Sequence, residues 1–346
     1  MKNFFNKLSF FLGLIIVLFG AALVFQFLQF KQQQIDLTKP DQIFEIKPGS
    51  HIRKVAGKLK NEGLIKDDWL FIVLAKLEGL DTKIKAGEFK LVAGSTPKQL
   101  LQQFVKGRSI QYQHSIIEGR TFKELLVDLK NNNYLKHTIN DMTNEQIMAA
   151  IGAEGIHPEG RFLPDTYAFP KDTSDIDYLK RAYQAMQVAL EREWQKREKN
   201  LPYKTPYEAL IMASIIEKET GVAFERPMIA AAFITRLRKN MKLQTDPTII
   251  YGMGDSYKGD IRYKDLREDT PYNTYVHKGL TPTPIAMPGV LAIQAALHPA
   301  DSKAIYFVSK GDGTHYFSKT LKEHNNAVIK YQLKGRAPKR KAESGK

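Results

Sequence analysis

The segment "ASIIEKETG", residues 213–221, closes an almost wholly apolar run with two carboxylates, Glu217 and Glu219. A carboxyl in apolar surroundings at the C-terminal end of a helix is pushed toward its neutral acid, because desolvation and the helix dipole both disfavour the charge. Such an acid can protonate the leaving oxygen of a glycosidic bond near neutral pH. At 3.6 residues per turn the two glutamates point about 200° apart, so they cannot share one task. Ala213 and Ser214 lie one turn before Glu217, and Thr220 and Gly221 follow it. These small neighbours predict a recess that a ligand could enter, and Glu217 is the expected catalytic residue. Glu219 follows Ile215 and Ile216, with Met212 nearby, which predicts packing or an ion pair. The competing reading of Glu217 is a helix-end glutamate paired with Lys218 or an arginine.

Further polar groups are candidates for hydrogen-bonding a ligand, and would meet sugar hydroxyl and acetamido groups under the resemblance given below. Gln244 and Asp246 stand in "LQTDPT", where Asp246 could equally cap a turn. Asn273 and Tyr275 belong to Tyr272-Asn273-Thr274-Tyr275, which mixes rings with amides, although the same residues suit an ordinary strand. His315 follows Gly311-Asp312-Gly313, a hairpin loop between two aromatic-rich segments, and could instead bond locally. Other chemistries find no support. The eight histidines are scattered without metal-ligand spacing and cysteine is absent, so no metal or disulfide is expected. No nucleotide loop or serine-nucleophile motif is present, and no cofactor is expected.

The elements that must carry these residues are legible. Thr205-Pro206-Tyr207-Glu208 combines an N-cap, a first-position proline and a capping-box glutamate. With Gly221 as the stop, a helix is predicted from about Pro206 to Thr220, apolar nearly all round and therefore buried. A second helix should run from about Pro227 to Arg238. Earlier, one pattern occurs three times: "EIKPGSHIRKVAGKL", "KLVAGSTPKQLLQQF" and "SIIEGRTFKELLVDL". Aligning Gly49, Gly94 and Gly119 superimposes Val55, Leu100 and Leu125, and then Leu59, Phe104 and Leu129. Each copy predicts a strand, a glycine turn and an amphipathic helix, with N-caps at Ser50, at Ser95 or Thr96, and at Thr121.

The 346 residues suggest two folded units. Residues 8–30 carry no charge and match the roughly 20 apolar residues that cross a bilayer. A cleaved signal is the alternative, but the apolar run continues well past Gly20-Ala21-Ala22. The formal net charge of +15 suits nucleic acid, anionic lipid, an acidic polymer or simply a solvated basic surface. Without a recognition helix, zinc finger or RNA-binding motif, nucleic acid is not expected.

"ASIIEKETG", "ERPMIAAAFITRLRKNMKLQTDPTIIYGMG", "YNTYVHKGLTPTPIAMPG" and "YFVSKGDGTHYFSKTLKEHNNAV" together resemble the YceG/MltG family of membrane-anchored endolytic murein transglycosylases. The resemblance implies Glu217, the first acid of "EKET", as the catalytic residue. It also implies cleavage between N-acetylmuramic acid and N-acetylglucosamine within peptidoglycan strands, with 1,6-anhydro ends. One carboxyl suffices when the sugar's own 6-hydroxyl attacks, so no metal or cofactor is needed. Thr283 and Arg161 depart from the family pattern and bear on subsite details.

The expected fold is α+β. The N-terminus (1–7) would be cytoplasmic, followed by a transmembrane helix (8–30), a linker (31–42), a LysM-like module (43–110), a catalytic domain (111–335) and a basic tail (336–346). The implied setting is a single pass through the inner membrane with the catalytic domain in the periplasm, acting on nascent strands beside the synthases. Two alternatives stand: a non-catalytic peptidoglycan-binding scaffold, and a water-using muramidase with Asp246 as second carboxylate.

Overall fold

The computed structural model describes residues 2–37, 39 and 41–333. The basic tail, and positions 38 and 40 of the expected linker, lie outside the described residues. The architecture is mixed α+β, and the chain divides into two compact units. One is drawn from Met1–Gln113, Tyr134–Lys136 and Ala168–Thr173, the other from His114–Asn133, His137–Tyr167 and Ser174–Lys346.

The first unit begins with the long helix α1 (Lys2–Gln32), followed by β1 (Ile43–Ile46), α2 (Ile52–Asn61), α3 (Asp68–Leu77), β2 (Gly87–Lys90) and α4 (Pro97–Lys106). Within α1, Phe10–Gln32 is long and apolar enough to cross a membrane, and its most apolar 18-residue window is unburied. β1 and β2 pair antiparallel, with Phe44 opposite Phe89. Their rings close on Phe104 of α4 at centroid distances of 5.3 and 5.2 Å. Leu59, Phe71, Leu74 and Leu101 complete a fully buried core. Each such side chain contributes about 1.5–3 kcal/mol through burial.

The three sequence copies are three copies of one conformation. Gly49, Gly94 and Gly119 have φ of 75°, 75° and 76°, a left-handed turn that favours glycine. Two residues later stands each N-cap: His51, Thr96 and Thr121 accept from the backbone N–H of Lys54, Gln99 and Glu124. Ser50, expected as the first cap, is displaced by His51, whose Nδ1 reaches the same N–H.

The chain continues through β3 (Tyr112–Ser115), α5 (Phe122–Lys130), β4 (Leu135–Lys136), α6 (Asn144–Ala150), β5 (Thr166–Phe169), β6 (Thr173–Ser174) and α7 (Asp175–Gln195). Then follow α8 (Pro206–Glu219), α9 (Arg226–Arg238), α10 (Asp246–Met253), α11 (Val290–Leu297), β7 (Tyr306–Ser309), β8 (His315–Ser318) and α12 (Leu321–Tyr331). In the second unit α8 is the central element, packed on α7, α9 and α11. Every residue from Ala209 to Ile216 is buried, as its all-round apolar pattern predicted. The hairpin β7–β8 pairs antiparallel around Gly311-Asp312-Gly313, with Phe307 opposite Phe317.

Candidate active site

Helix α8 carries both glutamates into the site. Its start is fixed by Thr205, whose side chain accepts from Glu208 N–H, while the Glu208 carboxylate reaches back to Lys204 N–H at 2.6 Å. The helix is then pinned by fully buried Ser214. Its hydroxyl donates to Ile211 O at 2.7 Å and accepts from Ile285 N–H at 3.0 Å, tying α8 to the segment that precedes α11.

Glu217 points into that junction. Oε1 accepts from Arg226 Nη2 at 2.7 Å, and Oε2 accepts from the Gly289 N–H at 3.0 Å. The two side chains are only 5% and 6% exposed. Glu118 approaches the same guanidinium at 3.4 Å, so two carboxylates share one cation. Burial raises the Glu217 pKa; the Gly289 N–H and Arg226 oppose the rise, and Glu118 adds to it. Both carboxylate oxygens of Glu217 are therefore engaged, by Arg226 and by the Gly289 N–H, so the arginine pairing is present, while open space stands beside the small neighbour Gly221.

Glu219, two residues on, faces the other way and lines a cavity of about 550 Å³. Gln244, Thr245, Asp246, Tyr275 and His315 line the same cavity, with Arg236, Tyr306 and His324. Its carboxylate accepts from the Thr245 hydroxyl. Burial pushes its pKa up to about 6; the Thr245 hydrogen bond opposes the rise, repulsion from Asp246 adds to it, and His315 and Arg236 pull it down. The packing and ionic surroundings expected of Glu219 are present, in its burial, its Thr245 bond and the pull of His315 and Arg236, and the same side chain also lines the cavity.

Four of the five expected sugar ligands thus gather around Glu219 rather than Glu217. Gln244 holds φ at 51°, a turn stabilised by its N–H donating to Thr274 O at 3.1 Å. Asp246 begins α10, and its Oδ1 accepts from Tyr275 OH at 2.6 Å rather than capping a turn. Burial, and then that bond, raise the Tyr275 pKa, so the phenol stays protonated. His315 Nδ1 lies 2.8 Å from Glu225 Oε2, and its N–H donates to Oε1 at 2.8 Å.

Asn273 is the exception and corrects the expectation. It is 1% exposed, its amide donates to the carbonyls of Asp265 and Glu268, and its oxygen accepts from Tyr275 N–H. That capacity is spent on shaping the loop, which is no strand, so Asn273 offers nothing to a ligand. The sequence reading did not single out Thr245, Arg236 or His324 as site residues, and it gave Glu219 a structural role. Thr245 was within sight, standing between two residues already singled out. Arg236 and His324 carry no local pattern that marks them. Among the described residues no cluster of histidine and acidic side chains could hold a metal ion.

The class that the fold and the cavity define is a mixed α+β protein with a polar cavity lined by two carboxylates, Glu219 and Asp246. The chain belongs to the YceG-like family, whose model matches residues 44–330. It is 33% identical over 312 residues to a Bacillus subtilis (strain 168) protein named endolytic murein transglycosylase, covering 83% of each chain. A protein of the same name from Streptococcus pneumoniae serotype 2 is 26% identical over 321 residues, which is 83% of this chain and 57% of that one. A crystal structure of a YceG-like protein from Listeria monocytogenes aligns with a TM-score of 0.51 at 30% identity, over 82% of this chain and 98% of the other.

Proposed function

We propose that this chain is an endolytic lytic transglycosylase that cuts peptidoglycan strands between N-acetylmuramic acid and N-acetylglucosamine and leaves 1,6-anhydro ends. The observation that carries the reading is Glu219, a carboxyl with a pKa near 6 in the wall of a polar cavity. In the protonated form it donates to the glycosidic oxygen as the C1–O bond breaks. The 6-hydroxyl of the same muramic residue then closes on C1, and the Glu219 carboxylate takes its proton. Gln244, Asp246, Tyr275 and His315 supply hydrogen bonds to hydroxyl and acetamido groups. In this reading Glu217 holds the end of α8 through Arg226 and leaves the chemistry to its neighbour.

Two rivals rest on specific observations. The raised pKa of Glu217 favours it as the acid, as the family resemblance also implies. The presence of Asp246 in the Glu219 cavity favours a muramidase that activates water. Mass spectrometry of products from purified sacculi separates them, using wild type, Glu217→Gln and Glu219→Gln, each assayed below its unfolding midpoint. Anhydro ends lost only in Glu219→Gln support the proposal, and loss only in Glu217→Gln moves the acid to that residue. Reducing ends establish hydrolysis, and no new ends leave a binding scaffold.

The setting belongs to the same reading. α1 is the membrane anchor, with the LysM-like strand–helix pair and the catalytic unit outside the cytoplasmic membrane, near the synthases that extrude new strands. Cutting there would end strand growth.

A further inference from the structure

Helix α3 is apolar apart from Asp68 and Lys76 at its two ends, which in a water-soluble unit calls for burial nearly all round. Only one side is buried: Leu70, Phe71, Leu74 and Ala75 face the core. Trp69, Val73 and Leu77, at spacings of four, form a stripe on the outer side, exposed by 43%, 36% and 71%. Lys76 sits beside the stripe and is exposed.

The position of α1 says what covers it. Along α1 the side chains from Phe10 to Phe19 are largely exposed, and Leu28 is still 52% exposed. Two residues later Phe30 is 3% exposed and part of the same core as Phe71 and Leu74, with Phe27 packed against it. At 1.5 Å per residue, the change from bare apolar helix to folded unit takes about 3 Å. Lys31, the first charge after the apolar run, acts on Glu78 at the C-terminal cap of α3, which also pairs with Lys98 at 2.9 Å. The end of α3 that bears Leu77 therefore lies where α1 leaves its apolar stretch, with no linker between.

From this geometry we infer that the outer face of α3 rests on the lipid surface through which α1 passes, with Trp69, Val73 and Leu77 among the acyl–headgroup boundary and Lys76 turned toward the phosphates. The inference rests on reading α1 as a membrane span. Indole rings favour that boundary, and an apolar helical stripe flanked by lysine lies in its plane.

The protein has two tryptophans, Trp69 and Trp194, so Trp194→Phe leaves Trp69 as the sole indole, and phenylalanine keeps a ring beside Arg197. The full chain carrying this change is placed in phosphatidylethanolamine–phosphatidylglycerol vesicles, with and without bromine on the upper acyl carbons. The expected result is a blue-shifted Trp69 emission, quenched roughly twofold or more by the brominated lipid and shielded from aqueous acrylamide. A chain that floats with the vesicles while Trp69 is untouched by bromine and open to acrylamide overturns the docking and leaves the anchor standing. A chain that does not float removes the anchor, and the docking with it.

Discussion

Arg226 Nη2 stands 2.7 Å from Glu217 Oε1 while Glu219, two residues along the same helix, faces a cavity on the opposite side. In the function proposed, one glutamate holds the helix end and the other meets the ligand. Glu219→Gln should abolish turnover, by at least about a thousandfold, without lowering the thermal midpoint. Initial rates on sacculi and a melting curve of the same preparation check both halves.

Removing the paired carboxylate should do the reverse. Glu217→Ala leaves a buried guanidinium facing only the more exposed Glu118. The expected cost is roughly 3 kcal/mol of stability, read from urea unfolding, with residual activity at low temperature. An unchanged midpoint would place Glu217 in solvent and undo the clamp.

The acid must carry its proton to act. With its pKa pushed up to about 6, Glu219 loses that proton as pH rises through this value. The kcat/KM profile should therefore fall on the alkaline side, approaching tenfold per pH unit well above it. A profile rising through the same range would mean that the carboxylate, not the acid, starts the reaction.

Glu159 offers a test of stability rather than activity. It is 4% exposed and accepts from Phe122 N–H and Tyr251 OH, yet burial raises its pKa from 4.5 to about 7. A raised native pKa stabilises the fold fully below the unfolded value, and that stability is lost as pH rises through the native one. Unfolding free energy should fall by up to about 3 kcal/mol between pH 4.5 and 7, and Glu159→Gln should flatten this part of the curve.

At Gly289 an added Cβ would stand 1.8 Å from Glu118 Oε1. Gly289→Ala should cost roughly 1 kcal/mol by driving Glu118 off Arg226, and close to nothing when Glu118 is already alanine. A double-mutant cycle in urea reads the difference.

Much of the frame could be read from residue order. The three glycine turns and the helix beginning at Thr205 follow from local rules, so they appear where spacing places them. The hairpin at Gly311-Asp312-Gly313 does so for the same reason. That the two glutamates of α8 face different surroundings was also legible, since helical geometry alone separates them. Which of them meets the cavity was not. Small residues beside Glu217 predict space, but Arg226 and Gly289 decide what its carboxylate meets, and Gly289 lies 72 positions away. Asn273 misled for a related reason: an amide that suits a sugar suits loop carbonyls equally well, and only three-dimensional neighbours say which it meets.

Glu225 and Arg226 are consecutive, yet one grips His315 on the hairpin and the other grips Glu217 on α8. A single peptide unit therefore rivets two sides of the second unit to the same point. Neither side can swing without dragging the other, so the space between them should behave as a gauge of set width. A strand would be admitted by threading along it rather than by a jaw closing around it.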